Sequence, residues 1–384
     1  MKIGIMLRHY DQHGGGVRVY THRLLRALLD LRSAHEFVFL YKNPALVGTY
    51  AGEPAVTEVC ATAPHVLYWD QVAVPKLVRR HGIDVVYNPK YSIPLRVGCA
   101  TSWVCHGLDW YVMPWASKRI DRLSHTYLVP RYAAKADAII AVSDVTKQHI
   151  LQYLRVPAQK VHTIYSGVDD GFRQPRDEAL CQQLRERHQL PERFLLYAGA
   201  IYPPKNFTRL VKAYAKVGPE LGVTLVIAGG ENRFLSEHEL KVPEQLGLGQ
   251  WVRWLGWVDP SQLPSLYQLS LGLLLPSLFE SYGLPIAEAM TAGCPVLTAD
   301  RYGTKEIAGD AALLVNPESV QEIAAGMQRL IEDDALRARL IDAGRERMRG
   351  VTWERCARQT LQVLEAIADR TGRAATSPRS AARG

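Results

Sequence analysis

Short β-rich runs alternate with amphipathic helical segments along this sequence, and the alternation occurs twice. The first series, which precedes a polar segment at 170–192, has runs that begin at Lys2, Phe37, Val56, Asp84, Thr101, Ala138 and Val161. The second series has runs that begin at Phe194, Thr224, Val252, Leu271, Pro295 and Ala312. A helix between consecutive strands favours a parallel sheet that helices cover. The pattern therefore predicts the α/β class, with two doubly wound parallel-sheet domains.

Prolines and a change in composition mark the expected domain boundaries. Pro175 and Pro191 interrupt regular structure between the two series, so we expect a first domain over 1–175 and a second over 190–350. The tail at 370–384 is basic and rich in Arg, Ala, Ser and Gly, which predicts disorder. Ligands of open parallel sheets bind beyond the carboxyl ends of the strands. Two such sheets facing each other would bring their binding loops into one cleft.

Length and composition limit the class of protein. A chain of 384 residues suffices for two domains of ordinary size. No apolar run approaches the length of a membrane span, and the N-terminus reads as a strand rather than a signal peptide, which predicts a cytosolic protein. The six cysteines show no CxxC spacing, so we expect free and mostly buried thiols.

The formal net charge is +8, and the excess of Lys and Arg lies in the first half of the chain. A basic surface fits nucleic acid, an anionic membrane or an anionic substrate, or it is merely solvated. Nucleic-acid binding is disfavoured because no aromatic recognition motif is interleaved with the basic residues. Pro130 argues against one continuous amphipathic helix in the most basic stretch. The residues that fit docking on anionic lipid are Lys118, Arg119, Arg122, Arg131 and Lys135.

The segment from Pro276 to Val296 carries the strongest chemical signal. A buried run ends at Pro276, a glycine-containing turn follows, and a helix is predicted to begin near Pro285 and close at Gly293. Loop amides and the helix dipole together form a site for anionic oxygens. Glu280 in the turn and Glu288 in the helix, with seven residues between them, could each accept paired hydrogen bonds from vicinal hydroxyls. Taken singly, either could be an ordinary surface carboxylate.

This segment resembles the signature of the retaining glycosyltransferases of family 4, which have the GT-B fold of two Rossmann-like domains facing across a cleft. The family pattern is Glu, seven residues, Glu, with Phe/Tyr-Gly-Leu-Pro between them. The resemblance implies that Glu280 contacts the transferred sugar and that Glu288 contacts the nucleotide ribose. It also implies that backbone amides of the turn hold sugar hydroxyls and phosphate, namely those of Ser281, Tyr282, Gly283 and Leu284. A helix at 351–369 is expected to cross back to the first domain.

Three features of the first half fit the same family. Gly15 and Gly16 resemble the glycine-rich loop that approaches the donor phosphate and the acceptor, although glycines are also common in flexible turns. His106 follows the run at Thr101 and resembles a histidine near the reacting sugar, which implies a catalytic and acceptor-binding role. Asp109 is a further acceptor-binding candidate. The family often has Asp directly after the histidine, where this chain has Gly107.

Lys205 is the candidate that would stabilise the leaving diphosphate, because a compact positive charge there offsets the charge that develops. Asn206 beside it is a donor-binding candidate. Family members commonly carry an arginine at one of two nearby positions, where this chain has Ala200 and Pro204. The residues that could compensate are Arg18 and Arg209. Trp254 and Trp257, near the expected position of the base, fit either that role or the core.

The resemblance implies a retaining transferase that moves a hexose, mannose or a related sugar, from a nucleoside-diphosphate sugar to a glycan or lipid-linked acceptor. Bacterial polysaccharide or glycolipid synthesis is the expected setting, in the cytoplasm, with a peripheral place on the inner face of the plasma membrane. No D-x-D occurs, so we expect no metal at the diphosphate and no cofactor beyond the donor. The alternatives are a sugar-nucleotide epimerase of the same architecture and a catalytically silent nucleotide-sugar-binding protein.

Overall fold

The computed structural model describes residues 1–10, 15–229 and 237–376. The chain forms two compact units. The first unit comprises Met1–Ser166 and the helix that begins at Trp353, and the second comprises Gly167–Thr352. In the part of the chain that the structure describes, none of the helices combines the length and the hydropathy that a membrane span requires.

A sheet of seven parallel strands forms the centre of the first unit, in the order β3-β2-β1-β4-β5-β6-β7. The strands are β1 (Lys2–Met6), β2 (Glu36–Tyr41), β3 (Val56–Cys60), β4 (Val85–Asn88), β5 (Ala100–Cys105), β6 (Ala138–Ala141) and β7 (Val161–Thr163). Every residue of β4, β5 and β6 is buried, as expected for strands that helices cover on both faces. All seven predicted runs contain a strand.

Helices connect these strands. They are α1 (Gly16–Asp30), α2 (Val66–Tyr68), α3 (Val74–His81), α4 (Asp109–Val112), α5 (Arg119–Lys135) and α6 (Asp144–His149). Helix α5 is continuous through Pro130, contrary to the interruption that this proline suggested. Proline removes one backbone donor and disfavours the helix interior. Packing offsets that cost, because Val129, Tyr132 and Ala133 on either side of it are buried in the core.

The second unit has a sheet of six parallel strands in the order β10-β9-β8-β11-β12-β13. The strands are β8 (Phe194–Ala198), β9 (Thr224–Ala228), β10 (Val252–Gly256), β11 (Leu273–Leu275), β12 (Val296–Ala299) and β13 (Leu313–Val315). The predicted α/β class with two doubly wound parallel sheets is confirmed. The helices of the second unit are α7 (Glu178–His188), α8 (Phe207–Tyr214), α9 (Glu237–Leu240), α10 (Val242–Gln245), α11 (Leu263–Leu269), α12 (Leu284–Ala292), α13 (Tyr302–Ala308), α14 (Val320–Glu332) and α15 (Asp334–Met348).

The final helix, α16 (Trp353–Thr376), belongs to the first unit and packs on α1. It extends beyond the predicted end of this helix, so residues 370–376 are helical, whereas 377–384 lie outside the described residues. Residues 167–175, which the sequence grouped with the first half, are part of the second unit. Hydrogen bonds hold them there, because Arg173 donates to the carbonyl oxygens of Met348 and Val351 at 3.0 and 2.9 Å.

Candidate active site

The strand order places two loops of the second unit side by side. β8 and β11 are neighbours at the centre of the sheet. After β8 the chain continues to the strands on one side of the sheet, and after β11 it continues to the strands on the other side. The loop after β8 carries Lys205, and the loop after β11 carries Glu280. Both loops leave the carboxyl ends of their strands, and this is the point at which open α/β sheets bind ligands. Residues 75 positions apart in sequence are thereby brought into contact.

Lys205 and Glu280 form a buried ion pair between Nζ and Oε1, with side chains only 10% and 11% exposed. The Ser277 hydroxyl donates a second hydrogen bond to the same carboxylate oxygen at 3.1 Å. Burial lowers the pKa of Lys205, but the Glu280 carboxylate and Tyr202 together raise it more, so the net pKa lies above its ordinary value. Lys205 therefore carries a positive charge at neutral pH in a site with little access to water.

Backbone and amide hydrogen bonds join the two loops. The Leu278 N–H donates to the Pro204 carbonyl at 2.8 Å. The Asn206 amide donates to the carbonyl oxygens of Pro276 and Pro317 at 2.9 and 2.6 Å. An amide has two hydrogens, and Asn206 uses one on the loop after β11 and the other on the segment after β13, which gives its side chain a positioning role. Arg209, one of the two suggested substitutes for the missing arginines, donates to the Asn206 Oδ1 at 3.1 Å.

The turn between β11 and α12 is fixed by contacts with α13. The Gly303 N–H donates to the Glu280 carbonyl at 3.0 Å. A Cβ on Gly303 would lie 2.5 Å from the Ser281 carbonyl, so only glycine fits against this backbone. Gly283 caps α12 with a φ of 96°, Pro285 lies in its first turn, and Gly293 ends it in the left-handed conformation, as the sequence predicted. The amides of Ser281, Tyr282, Gly283 and Leu284 thus lie at the N-terminus of a nine-residue helix.

Glu288 lies in the second turn of α12, half-buried, where the Tyr267 hydroxyl donates to its Oε2 at 3.4 Å. Tyr267 is buried, and burial followed by the nearby Glu288 charge raises the pKa of its hydroxyl well above the ordinary value. The phenol remains a hydrogen-bond donor and orients the carboxylate.

His106 follows β5 in the first unit and is held from two sides. Its Nε2 donates to the Pro89 carbonyl at 2.7 Å, and the Tyr20 ring meets it edge-on at 4.8 Å between centroids. A carbonyl only accepts hydrogen bonds, so Nε2 carries the proton and Nδ1 remains an acceptor. Burial lowers the pKa of His106 to about 4, although the Pro89 carbonyl opposes this shift. The imidazole is therefore neutral at pH 7.

This pKa predicts how acid affects stability. The unfolded histidine takes up a proton below about pH 6.5 and the folded one only near pH 4. The free energy of unfolding should therefore fall as the pH drops through that window, by at most about 3 kcal/mol from this residue. Chemical denaturation at several pH values should give a shallower dependence for His106→Asn, whereas the exposed His65→Asn should match the unsubstituted protein. Identical curves for all three proteins would contradict the assignment.

Asp109 and the glycine pair lie after strands of the same sheet. Asp109 begins α4 and is half-buried, and burial raises the pKa of its carboxyl group. Gly15 caps α1 with a φ of 89°, a conformation that favours glycine, and Gly16 is the first residue of the helix. Among the residues that the structure describes, none has an atom within 4 Å of a Cβ built on either glycine.

A polar cluster that the sequence did not predict lies at the carboxyl ends of β1 and β4. Arg8 donates to the Asp70 carboxylate at 3.0 Å and to the Ser92 hydroxyl at 3.4 Å. Burial raises the pKa of Asp70 in spite of Arg8, whereas burial followed by the Arg8 charge lowers the pKa of Lys90. β1 and β4 are the central neighbours of the seven-stranded sheet. The available signal was that Arg8 lies near the end of the first predicted run and that Lys90 directly follows the run that begins at Asp84.

Two tryptophans at the edge strand β10 are not core residues. Trp254 is 41% exposed and Trp257 is 70% exposed, which excludes the core, one of the two alternatives that the sequence left open for them. β10 has a neighbour on only one side of the sheet, which leaves these side chains accessible.

The chain is similar over nearly its full length to solved glycosyltransferases. A glycosyltransferase from Rickettsia africae superposes with a TM-score of 0.76 at 17% identity, covering 95% of this chain and 98% of the other. HepE from Anabaena, solved with UDP and glucose, gives a TM-score of 0.75 at 19% identity, covering 95% and 100%. At these identities the likeness shows the fold, which is GT-B.

Family models and curated relatives agree with that fold. A model described as Glycosyltransferase Family 4 matches residues 14–172, and one described as Glycosyl transferases group 1 matches residues 182–347. The O-antigen chain mannosyltransferase B of Escherichia coli is 29% identical over 295 residues, 74% of this chain and 75% of the relative. The D-inositol 3-phosphate glycosyltransferase of a Nocardioides species is 32% identical over 246 residues, 59% of this chain and 53% of the relative. The chain belongs to glycosyltransferase family 4 and is an enzyme of that class.

Proposed function

We propose that this glycosyltransferase transfers a hexose, mannose or a related sugar, with retention from a nucleoside-diphosphate sugar to a glycan or lipid-linked acceptor. The observation that carries the proposal is the buried pair of Lys205 and Glu280 at the centre of the six-stranded sheet. A positive charge and a carboxylate side by side match the two parts of such a donor, its diphosphate and its hydroxyl-rich sugar.

On the donor side, the Lys205 ammonium has three N–H donors, and only one is needed for Glu280. The others can reach the diphosphate as its bond to the anomeric carbon breaks. Glu280 accepts hydrogen bonds from sugar hydroxyls, Glu288 accepts them from the ribose, and the amides from Ser281 to Leu284 receive the remaining oxygens. The acceptor oxygen forms its bond on the face from which the diphosphate departs, and its proton passes to the leaving phosphate oxygen. Positioning and charge stabilisation supply most of the rate.

On the acceptor side, a neutral His106 suits a hydrogen bond from a sugar hydroxyl to its Nδ1. Such a contact orients the hydroxyl, and because the imidazole is neutral it brings no further positive charge to the reacting sugar. Asp109 follows β5 and Gly16 follows β1 in the same sheet, and we propose that both bind the acceptor together with His106. Burial raises the pKa of Asp109, and a raised pKa allows its carboxyl group to accept a proton from an acceptor hydroxyl or to share one with it.

The relatives support the choice of sugar and the setting. The Escherichia coli relative is an O-antigen chain mannosyltransferase, which favours mannose and bacterial polysaccharide or glycolipid synthesis. HepE binds UDP and glucose, so a UDP-linked hexose is the second donor to be tried. We propose a metal-independent reaction because the sequence has no D-x-D. A lipid-linked acceptor would place the reaction in the cytoplasm, beside the inner face of the plasma membrane.

Calorimetric titration without metal tests the donor site. The protein should bind one of UDP, GDP, ADP and dTDP selectively, and Glu288→Ala should weaken that binding about 10- to 100-fold, because it removes charge-assisted hydrogen bonds to the ribose. The matched control is the exposed Glu244→Ala in the same unit, which should bind normally. Equal affinity of the two variants would remove Glu288 from the site.

The same preparation separates the alternatives by their products. With the sugar nucleotide of the selected base and an acceptor, a transferase releases free nucleoside diphosphate, whereas an epimerase returns an isomeric sugar nucleotide. A silent binding protein would bind the nucleotide and turn over no acceptor, and the absence of arginine at Ala200 and Pro204 is the feature that favours this alternative. Binding of no nucleotide at all would overturn the assigned donor site.

A further inference from the structure

Two cations but only one carboxylate meet at the carboxyl ends of β1 and β4, the central strands of the first unit. The Arg8 side chain is 10% exposed and pairs with the Asp70 carboxylate at 3.0 Å. Lys90 is half-buried, and its ammonium forms no ion pair with any residue that the structure describes. The cluster of Arg8, Asp70 and Lys90 therefore has an excess of positive charge.

The loop after β4 holds both cations in place. The Asn88 Oδ1 accepts a hydrogen bond from the Lys90 backbone N–H at 3.0 Å, and its Nδ2 donates to the Ser92 carbonyl and hydroxyl oxygens at 2.8 and 2.9 Å. The Ser92 hydroxyl also accepts a hydrogen bond from the Arg8 guanidinium at 3.4 Å. One hydrogen-bonded network thus positions the Arg8 side chain and the Lys90 backbone.

The positive charge of Lys90 lacks compensation. Burial lowers the pKa of its ammonium and the nearby Arg8 charge lowers it further, whereas no carboxylate of the described residues opposes these shifts. A charge that is removed from water without a partner destabilises the folded protein. A bound anion would supply the missing partner.

Lys90 lies beside His106, the histidine that we propose to bind the acceptor. The Pro89 carbonyl, one residue before Lys90, accepts the hydrogen bond from the His106 Nε2 at 2.7 Å. The two side chains also interact electrostatically, because burial is the main cause that lowers the pKa of His106 and the Lys90 charge lowers it in addition. An anionic group on a sugar held by His106 would therefore lie within reach of Lys90.

We infer that Lys90 and Arg8 bind an anionic group, a phosphate or a carboxylate, of the sugar acceptor whose hydroxyl contacts His106. Arg8 directs three of its five N–H donors to described side chains, which leaves two for the anion, and the Lys90 ammonium offers three more. The inference rests on the proposed function and narrows its acceptor to a phosphorylated or acidic glycan. An uncharged acceptor would leave Lys90 without a partner.

NMR titration with inorganic phosphate tests the site. The nucleoside diphosphate selected by calorimetry is present at saturation to occupy the donor site, and the ionic strength is held constant. Phosphate should shift the His106 ring signals, and Lys90→Gln should weaken its binding about 10- to 100-fold, because charge-assisted hydrogen bonds are lost. Lys90→Arg should restore most of the affinity. The matched control is Lys76→Gln, which removes an exposed lysine of α3 and should bind phosphate normally.

Two further titrations refine the assignment. Acetate in place of phosphate ranks a carboxylate against a phosphate, so tighter phosphate binding points to a phosphorylated acceptor and tighter acetate binding to an acidic sugar. Arg8→Gln/Asp70→Asn removes the ion pair from both sides and should weaken the binding of the preferred anion, because the guanidinium donors are lost.

Stability gives a readout that needs no ligand. In phosphate-free buffer, Lys90→Gln should raise the midpoint of chemical denaturation, because it removes a half-buried charge that Arg8 repels. A lower midpoint would mean that the ammonium already has a partner in the folded protein, which contradicts the inference.

Nucleoside diphosphate affinity separates this inference from the proposed function. It should be the same in Lys90→Gln and in the unsubstituted protein, and a loss would assign Lys90 to the donor and overturn the inference. The inference is also overturned if neither anion shifts the His106 signals, or if Lys90→Gln and Lys76→Gln bind the anions equally. Anion binding at Lys90 in a protein that binds no nucleotide would overturn the proposed function alone.

Discussion

Lys205→Ala is expected to lower kcat about 10²- to 10³-fold, because it removes a charge that stabilises the leaving diphosphate in a site with little water. The Lys205 side chain is 10% exposed and forms an ion pair with Glu280, so its ammonium is already held in place before the donor binds. Steady-state kinetics with the donor selected by calorimetry measure the effect. The exposed Lys212→Ala on α8 is the control and should keep full activity.

The same substitution leaves the Glu280 carboxylate buried without its cation. We expect the second unit to lose about 3 to 5 kcal/mol of unfolding free energy, the usual cost of breaking a buried pair from one side. Lys205→Met/Glu280→Gln removes both charges and should recover much of that stability but none of the activity. If the double variant recovered activity as well, the loss in Lys205→Ala would reflect misfolding, and Lys205 would have no catalytic role.

The sequence predicted both residues of this pair but not their contact. The signature turn and the Pro-Lys-Asn segment were each visible as local patterns that follow a β-rich run. Their meeting depends on β8 and β11 being neighbours, and strand order is set by pairing between distant parts of the chain. Alternation of strands and helices predicts a parallel sheet but does not rank the possible orders. The two Asn206 hydrogen bonds depend on the same order and were likewise not predicted.

Helix α5 of the first unit shows a second limit of prediction from the sequence. Periodicity identifies which residues of a helix share a face, but not whether that face packs against the sheet or meets solvent. In α5 the apolar positions of the first half are exposed and those near Tyr132 are buried, so one helix has two different environments. Pro130 was misjudged for a related reason, since the general preference of proline for breaking helices yields to the packing around the residue.

Gly303→Ala is expected to destabilise the second unit and to disturb the signature turn. Gly303 lies in α13, where alanine would normally stabilise a helix by up to about 1 kcal/mol relative to glycine. Here the new Cβ would lie 2.5 Å from the Ser281 carbonyl and 2.7 Å from the Glu280 oxygen, both backbone atoms that cannot turn aside. We expect a loss of about 1 to 3 kcal/mol in the free energy of unfolding.

The clash should also lower the rate of sugar transfer. The Gly303 N–H holds the Glu280 carbonyl at 3.0 Å, so moving α13 away moves the residue that pairs with Lys205. A displacement near 1 Å in such a site lowers the rate by about 10²-fold, and kcat should fall on that scale. The control is Gly249→Ala, where no atom of the described residues lies within 4 Å of the new Cβ, and it should change stability by less than about 0.5 kcal/mol. Unfolding and kinetics that match this control would mean that the turn between β11 and α12 tolerates the shift, and that its close contact with α13 does not position Glu280.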